Sequence, residues 1–141
     1  MARRNLRAGI LALALPLILA LALAAAGGSG HVLHTLPDWL PGGGITVGHH
    51  VFLKASQQTA YGLGHELVHV RQQAEHPAWF WVSYLLRPDW RLRWEAEAYA
   101  MQARARCPID GAHGLAAYLS GPAYLWPASQ AEAAAAIRSY L

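Results

Sequence analysis

The sequence predicts an α+β fold, mostly helical, and three observations predict it. Apolar residues recur at helical spacing in several separate stretches after residue 56. One segment, "ITVGHHVFLK" at residues 45–54, reads instead as β structure. Ahead of both, Ala8 to Ala26 form an apolar run without a single charge, about as long as the roughly 20 residues a bilayer-spanning helix needs. These features divide the 141 residues into a leader and joint, 1–30, and a domain, 31–141.

Arg3, Arg4 and Arg7 precede the apolar run, Ala24-Ala25-Ala26 close it, and a short flexible joint from Gly27 to Gly30 follows. A basic head, an apolar body and a small-residue end describe a secretory signal; the length of the run suits an uncleaved anchor equally well. In both cases the arginines stay on the cytoplasmic side and the rest is exported. The expected location is therefore membrane-anchored or secreted, with the domain on the periplasmic or extracellular side. A soluble buried helix is the alternative, but the run has no polar face.

"HVLHTLPDWLPGGG" comes next, rich in proline and glycine, and is expected to be extended or looped. In residues 45–54, Ile45, Val47, Val51 and Leu53 are apolar and Gly48 suits a turn or bulge. This is one bent strand or a tight hairpin. Ser56 or Thr59 can cap a helix that runs to about Glu75, with Leu63, Leu67, Val70 and Ala74 as its apolar stripe. Pro77 ends it. Residues 78–86, "AWFWVSYLL", form a short aromatic helix. Another runs from about Trp90 to Arg106 with Asp89 as its N-cap, and Pro108, Asp110 and Gly111 break the chain. "AHGLAAYLS" is a further short helix and "GPAYLWP" a loop. Ser129 with Glu132 three residues later is a capping box for a last helix over 130–140.

Composition narrows the chemistry. Three of the 11 Lys and Arg residues stand in the basic head, which leaves 8 against 8 acidic residues in the remainder. A neutral exported part lacks the electrostatic footprint of a nucleic-acid binder. Cys107 is the only cysteine, so there is no internal disulfide and no cysteine zinc finger. It reads as a small buried residue or a free thiol. A metal would have to be held by carboxylates and by the 8 histidines.

"GHELVHV", residues 64–70, places His65, Glu66 and His69 in the pattern H-E-x-x-H. On a helix, residues four apart lie about 40° apart around the axis, one turn along. His65 and His69 can therefore aim ring nitrogens at one point, and zinc accepts two imidazoles in that way. Glu66 is about 100° round from His65, poorly placed as a third ligand but well placed as a general base for a metal-activated water. The bland reading is an amphipathic helix with two chance histidines, since the pattern fixes only three positions. Gly62 and Gly64 flank the motif and allow close approach of another backbone. Candidates for the third ligand are Glu95, Glu97, His49, His50, His76 and His113. Glu95 and Glu97 lie about 200° apart on one helix, so only one of them can face a metal.

"GHELVHVRQQ" followed by "RWEAEAYA" resembles the gluzincin branch of zinc metallopeptidases, and is similar to small bacterial zincin-like domains. The resemblance covers roughly residues 43–106. It implies a minimal zincin-like domain with a short β element before the H-E-x-x-H helix. It also implies Zn²⁺ held by His65, His69 and Glu95, with Glu66 as catalytic base, and a peptide or protein as substrate. An edge strand next to the active helix would bind an extended peptide; a mere sheet edge is the other reading of residues 45–54. Tyr99 stands where the family often has an aspartate that orients a zinc-bound histidine, which leaves Glu97 as the rival to Glu95. Gln72 falls on the face of His65 and His69 and can hydrogen-bond near the site, or simply be solvated.

The expected function is thus a zinc-dependent metallopeptidase. The alternative is a membrane-tethered, non-catalytic zincin-like module that binds zinc or a protein partner. A periplasmic metal-storage protein is a third reading. His31, His34, His49 and His50 are candidates for a second metal or are plain loop histidines. Trp79, Phe80, Trp81, Tyr84, Trp90 and Trp94, with Arg87, Arg91 and Arg93, suit either an aromatic core or a membrane interface. Tyr99, His113, Tyr118 and Tyr124 are candidates for stabilising an oxyanion.

Overall fold

The computed structural model describes residues 30–40, 42–105, 111–124 and 128–141, with the backbone alone at 111–113. The apolar run, Cys107 and the His113 side chain lie outside the described residues. Among the described residues no helix is long and apolar enough to cross a membrane.

Residues 45–54 form the hairpin rather than the bent strand. Strand β2 (Gly44–Val47) runs antiparallel to β3 (His50–Lys54), with Thr46 opposite Val51 and Gly44 opposite Leu53. Gly48 takes φ 59° in the two-residue connection, a region open to glycine at little cost. The "HVLHTLPDWLPGGG" stretch contains one more strand than its proline and glycine content suggests. β1 (Val32–Leu36) pairs parallel with β3, Leu33 opposite Val51, so the order across the sheet is β1-β3-β2. Val51 and Leu53 point into the protein, fully buried, while His50, Phe52 and Lys54 between them are only half-buried. That is the period-two alternation of a sheet with one covered face.

Helix α1 (Ala60–Glu75) is capped by Thr59, whose hydroxyl accepts from the Gly62 amide. Gly62 is required: a Cβ there would lie 2.2 Å from the Gln57 carbonyl oxygen. Gly64 meets only ordinary contact, with Met101 at 3.6 Å. The face that α1 buries is a correction. Of the expected stripe, Leu63, Leu67 and Val70 are half-buried and Ala74 is exposed, while His65, Glu66, Val68, His69, Gln72 and Gln73 are buried. The polar face turns inward because its groups find partners on the hairpin and on the helix beyond; buried polar groups are tolerated when so paired.

Helix α2 (Pro77–Leu86) follows after His76 alone, with Pro77 in its first turn, so one proline both ends α1 and begins α2. Helix α3 (Pro88–Arg104) begins one residue earlier than its expected cap. Arg87 occupies the cap position and Pro88 the first turn, where its fixed φ already suits a helix. Asp89 therefore sits inside the first turn, bonded to the Arg87 guanidinium at 2.8 and 3.1 Å. Helices α4 (Gly111–Leu119) and α5 (Gln130–Arg138) complete the chain, and Pro122–Tyr124 make one 3₁₀ turn of the expected loop. The Ser129–Glu132 capping box is present in both directions.

α3, α4 and α5 share a core of small and branched residues: Ala96, Ala100, Leu115, Ala116, Leu119, Ala133, Ala134 and Ile137. Ile137 is fully buried there. Ile137→Ala is expected to cost about 2–5 kcal/mol, read from urea denaturation followed by circular dichroism. Phe80, Trp81 and Trp94 form a second cluster, with Tyr84 and Trp90 packed against it. Most of the aromatic run is thus core. Arg91 belongs to the interior as well: it is 4% exposed and donates to the carbonyls of Tyr84, Leu85 and Tyr124.

Candidate metal centre

α1 and α3 lie side by side and bring three of the candidate ligands together. His65 and His69, one turn apart on α1, face Glu95 on α3, and all three are buried. His65 Nε2 is 3.2 Å from His69 Nε2. Glu95 Oε2 is 3.4 Å from His65 Nε2, and Glu95 Oε1 is 3.6 Å from His69 Nε2. A tetrahedral ion with bonds of about 2.0–2.1 Å separates its ligands by about 3.3–3.4 Å. Among the described residues no other group of three histidine, cysteine or acidic side chains gathers this tightly. Among the described residues nothing donates a hydrogen bond to the buried Glu95 Oε2, an open lone pair that a cation would satisfy. Two imidazoles and a carboxylate are a donor set that suits zinc.

The electrostatics agree with that donor set. Burial alone would lower the basicity of His69, but the Glu95 carboxylate, with Glu66 and Gln72 behind it, pushes its pKa up to about 9. Burial alone would raise that of Glu95, yet His69 and His65 hold it well below the usual carboxylate range. The pocket thus favours a positive charge beside a charged carboxylate, and a metal ion can supply that charge in place of a proton.

The groups around the trio hold it in place. Gln72 Oε1 accepts from His69 Nδ1 at 2.8 Å, which leaves the lone pair on Nε2. The Gln72 amide donates to the Trp94 carbonyl at 3.0 Å and to Glu97 Oε2 at 2.8 Å. Tyr84 donates to Glu95 Oε1 at 2.5 Å. Tyr99 offers its ring edge-on to His65 at 4.6 Å between centres and shares a 2.7 Å hydrogen bond with Tyr124. His65 Nδ1 has no hydrogen-bond partner among the described residues. Burial, then the nearby Glu95 charge, pushes Tyr84, Tyr99 and Tyr124 upward, so all three keep their protons.

Glu66 lies on the wall shared with the hairpin. Its Oε2 accepts from the Thr46 hydroxyl at 2.7 Å. Gly44 leaves room for it, since a Cβ there would lie 2.7 Å from Glu66 Oε1 and 2.5 Å from Leu53. Gln73 pins the hairpin to α1, donating to the Thr46 carbonyl and accepting from the Gly48 amide. Glu66, the trio, Tyr84 and Thr46 line one cavity of about 660 Å³.

Of the remaining candidates, Glu97 turns away and pairs with Arg71 at 2.5 Å. Among the described residues its link to the trio runs through Gln72. His49 and His50 lie at the hairpin turn, away from this cavity, and the His76 ring is beside Trp94. Tyr118, 59% exposed, lines the cavity with Tyr99 and Tyr124. Thr46, Gln73 and Tyr84 had no sequence signal of their own; each is tied to the site by contacts across 11 or more positions in the chain. Comparisons with protein-family models, with curated proteins and with solved structures find no match.

Proposed function

We propose that this chain is a zinc-dependent metallopeptidase. The observation that carries the reading is the convergence of His65 Nε2, His69 Nε2 and Glu95 at separations of 3.2–3.6 Å, with Glu66 on the wall of the same cavity. His65, His69 and Glu95 would hold the ion. When bound, zinc lowers the pKa of water to near neutral and polarises a carbonyl. Glu66 takes the proton of the attacking water and passes it to the leaving amine. Thr46 and the close packing at Gly44 hold the Glu66 carboxylate for that transfer. β2 is an edge strand that lines the cavity, which suits an extended peptide added by main-chain hydrogen bonds. The apolar run would anchor or export the domain, so that its substrates are met outside the cytoplasm.

The test is metal analysis of the purified chain together with cleavage of an unfolded protein. One zinc per chain and chelator-sensitive cleavage are the expected results. Metal-free wild type, or metal binding that survives His65→Ala with His69→Ala, would sink the reading. Gln72→Leu should weaken zinc binding by about 10–100-fold, the usual effect of losing a group that orients a ligand; competition against a chromophoric chelator reads this directly.

A binding-only module is the second reading. What favours it is Tyr99 beside His65 and the unpartnered His65 Nδ1, since a loosely oriented ligand suits storage or display better than catalysis.

A further inference from the structure

The sheet face opposite the core carries a second gathering of imidazoles. In the register of β1 with β3, His34 lies opposite Phe52 and Val32 opposite His50, so His34 and His50 are diagonal neighbours on one face. Val51 and Leu53 occupy the other face, which is buried. His34 Nε2 and His50 Nδ1 meet at 3.0 Å. The His34 ring is stacked on Phe52, 4.5 Å between centres and 16° from parallel, which fixes its orientation. His49 flanks the pair, its ring centre 4.2 Å from that of His50. None of the three lines the Glu66 cavity.

Two ring nitrogens that face each other at this distance share either one proton or one metal ion. With imidazole–metal bonds of about 2.0–2.1 Å, a 3.0 Å separation corresponds to an angle of about 91–97° at the metal. That is the angle between adjacent ligands in tetragonal coordination, which Cu²⁺ and Ni²⁺ favour. The 3.2 Å pair of His65 and His69 gives about 99–106°, closer to tetrahedral.

We propose that His34 and His50, flanked by His49, form a separate surface site for a tetragonal divalent transition metal of the Cu²⁺ class, with water at the remaining positions. The site stands independently of the peptidase reading. The experiment titrates Cu²⁺ into the zinc-loaded full-length protein while zinc release is followed. Wild type is expected to take up one copper equivalent with zinc retained, and its electron paramagnetic resonance spectrum to carry nitrogen hyperfine splitting from two imidazoles. His34→Phe, which keeps a ring on Phe52, and His50→Gln, which keeps a polar partner, should each lose that equivalent with zinc content unchanged. If the protein proves to bind no zinc, the same loss of one copper equivalent in the two variants still decides the matter. Copper uptake matched by stoichiometric zinc release, no uptake, or an equivalent that survives in both variants would overturn the proposal.

Discussion

Glu66→Gln is expected to keep its zinc and to lose about 10²–10⁴-fold in peptide hydrolysis, the range assigned to a positioned general base. Glutamine has nearly the shape of glutamate, and Thr46 can still donate to its amide oxygen, so the hairpin contact of 2.7 Å survives. Glu66 is not among the three gathered donors, so metal content should not change. What disappears is the ability to accept a proton. The measurement pairs metal analysis with cleavage rates of an unfolded protein for wild type and variant. Equal rates would remove Glu66 from the mechanism. Zinc bound by both proteins with cleavage by neither would favour the binding-only module.

Glu95→Ala is expected to abolish stoichiometric zinc binding. Loss of an orienting partner alone typically costs about 10–100-fold in metal affinity, and removal of a ligand costs more. The variant also strips His69 of the charge that raises its pKa to about 9 and leaves the Tyr84 hydroxyl without its acceptor. Because Glu95 is buried against both histidines, some loss of stability accompanies the loss of metal, so thermal unfolding must be recorded beside the zinc titration. Glu97→Ala is the control. It removes a carboxylate paired with Arg71 and Gln72 and should weaken zinc binding only modestly. Full loss of zinc in the Glu97 variant, with retention in the Glu95 variant, would reverse the assignment.

Local signals in the chain were reliable where the physics is local. The Ser129–Glu132 capping box, the Thr59 cap, the hairpin turn at Gly48 and the helix spans all depend on residues a few positions apart. The same holds for the pairing of His65 with His69, which one helical turn brings together. The start of α3 was displaced by two residues because Pro88 outcompetes Asp89 for the helix entrance. The stripe on α1 misled because side-chain type alone does not say which face finds partners.

The sequence by itself determined that this is a mostly helical α+β domain with two histidines and a glutamate on one helix, preceded by an uncharged apolar run. Only the tertiary structure decided that α1 buries its polar face, that Glu95 and not Glu97 faces the two histidines, and that Tyr84 and Thr46 hold the surrounding groups. It alone decided that β1 lies parallel beside β3 and brings His34 against His50. The reason is range. Periodicity and caps are set within a turn or two of chain, whereas these pairings join residues 11 to 30 positions apart, and their energies depend on which buried polar groups find each other once the helices and the sheet have packed.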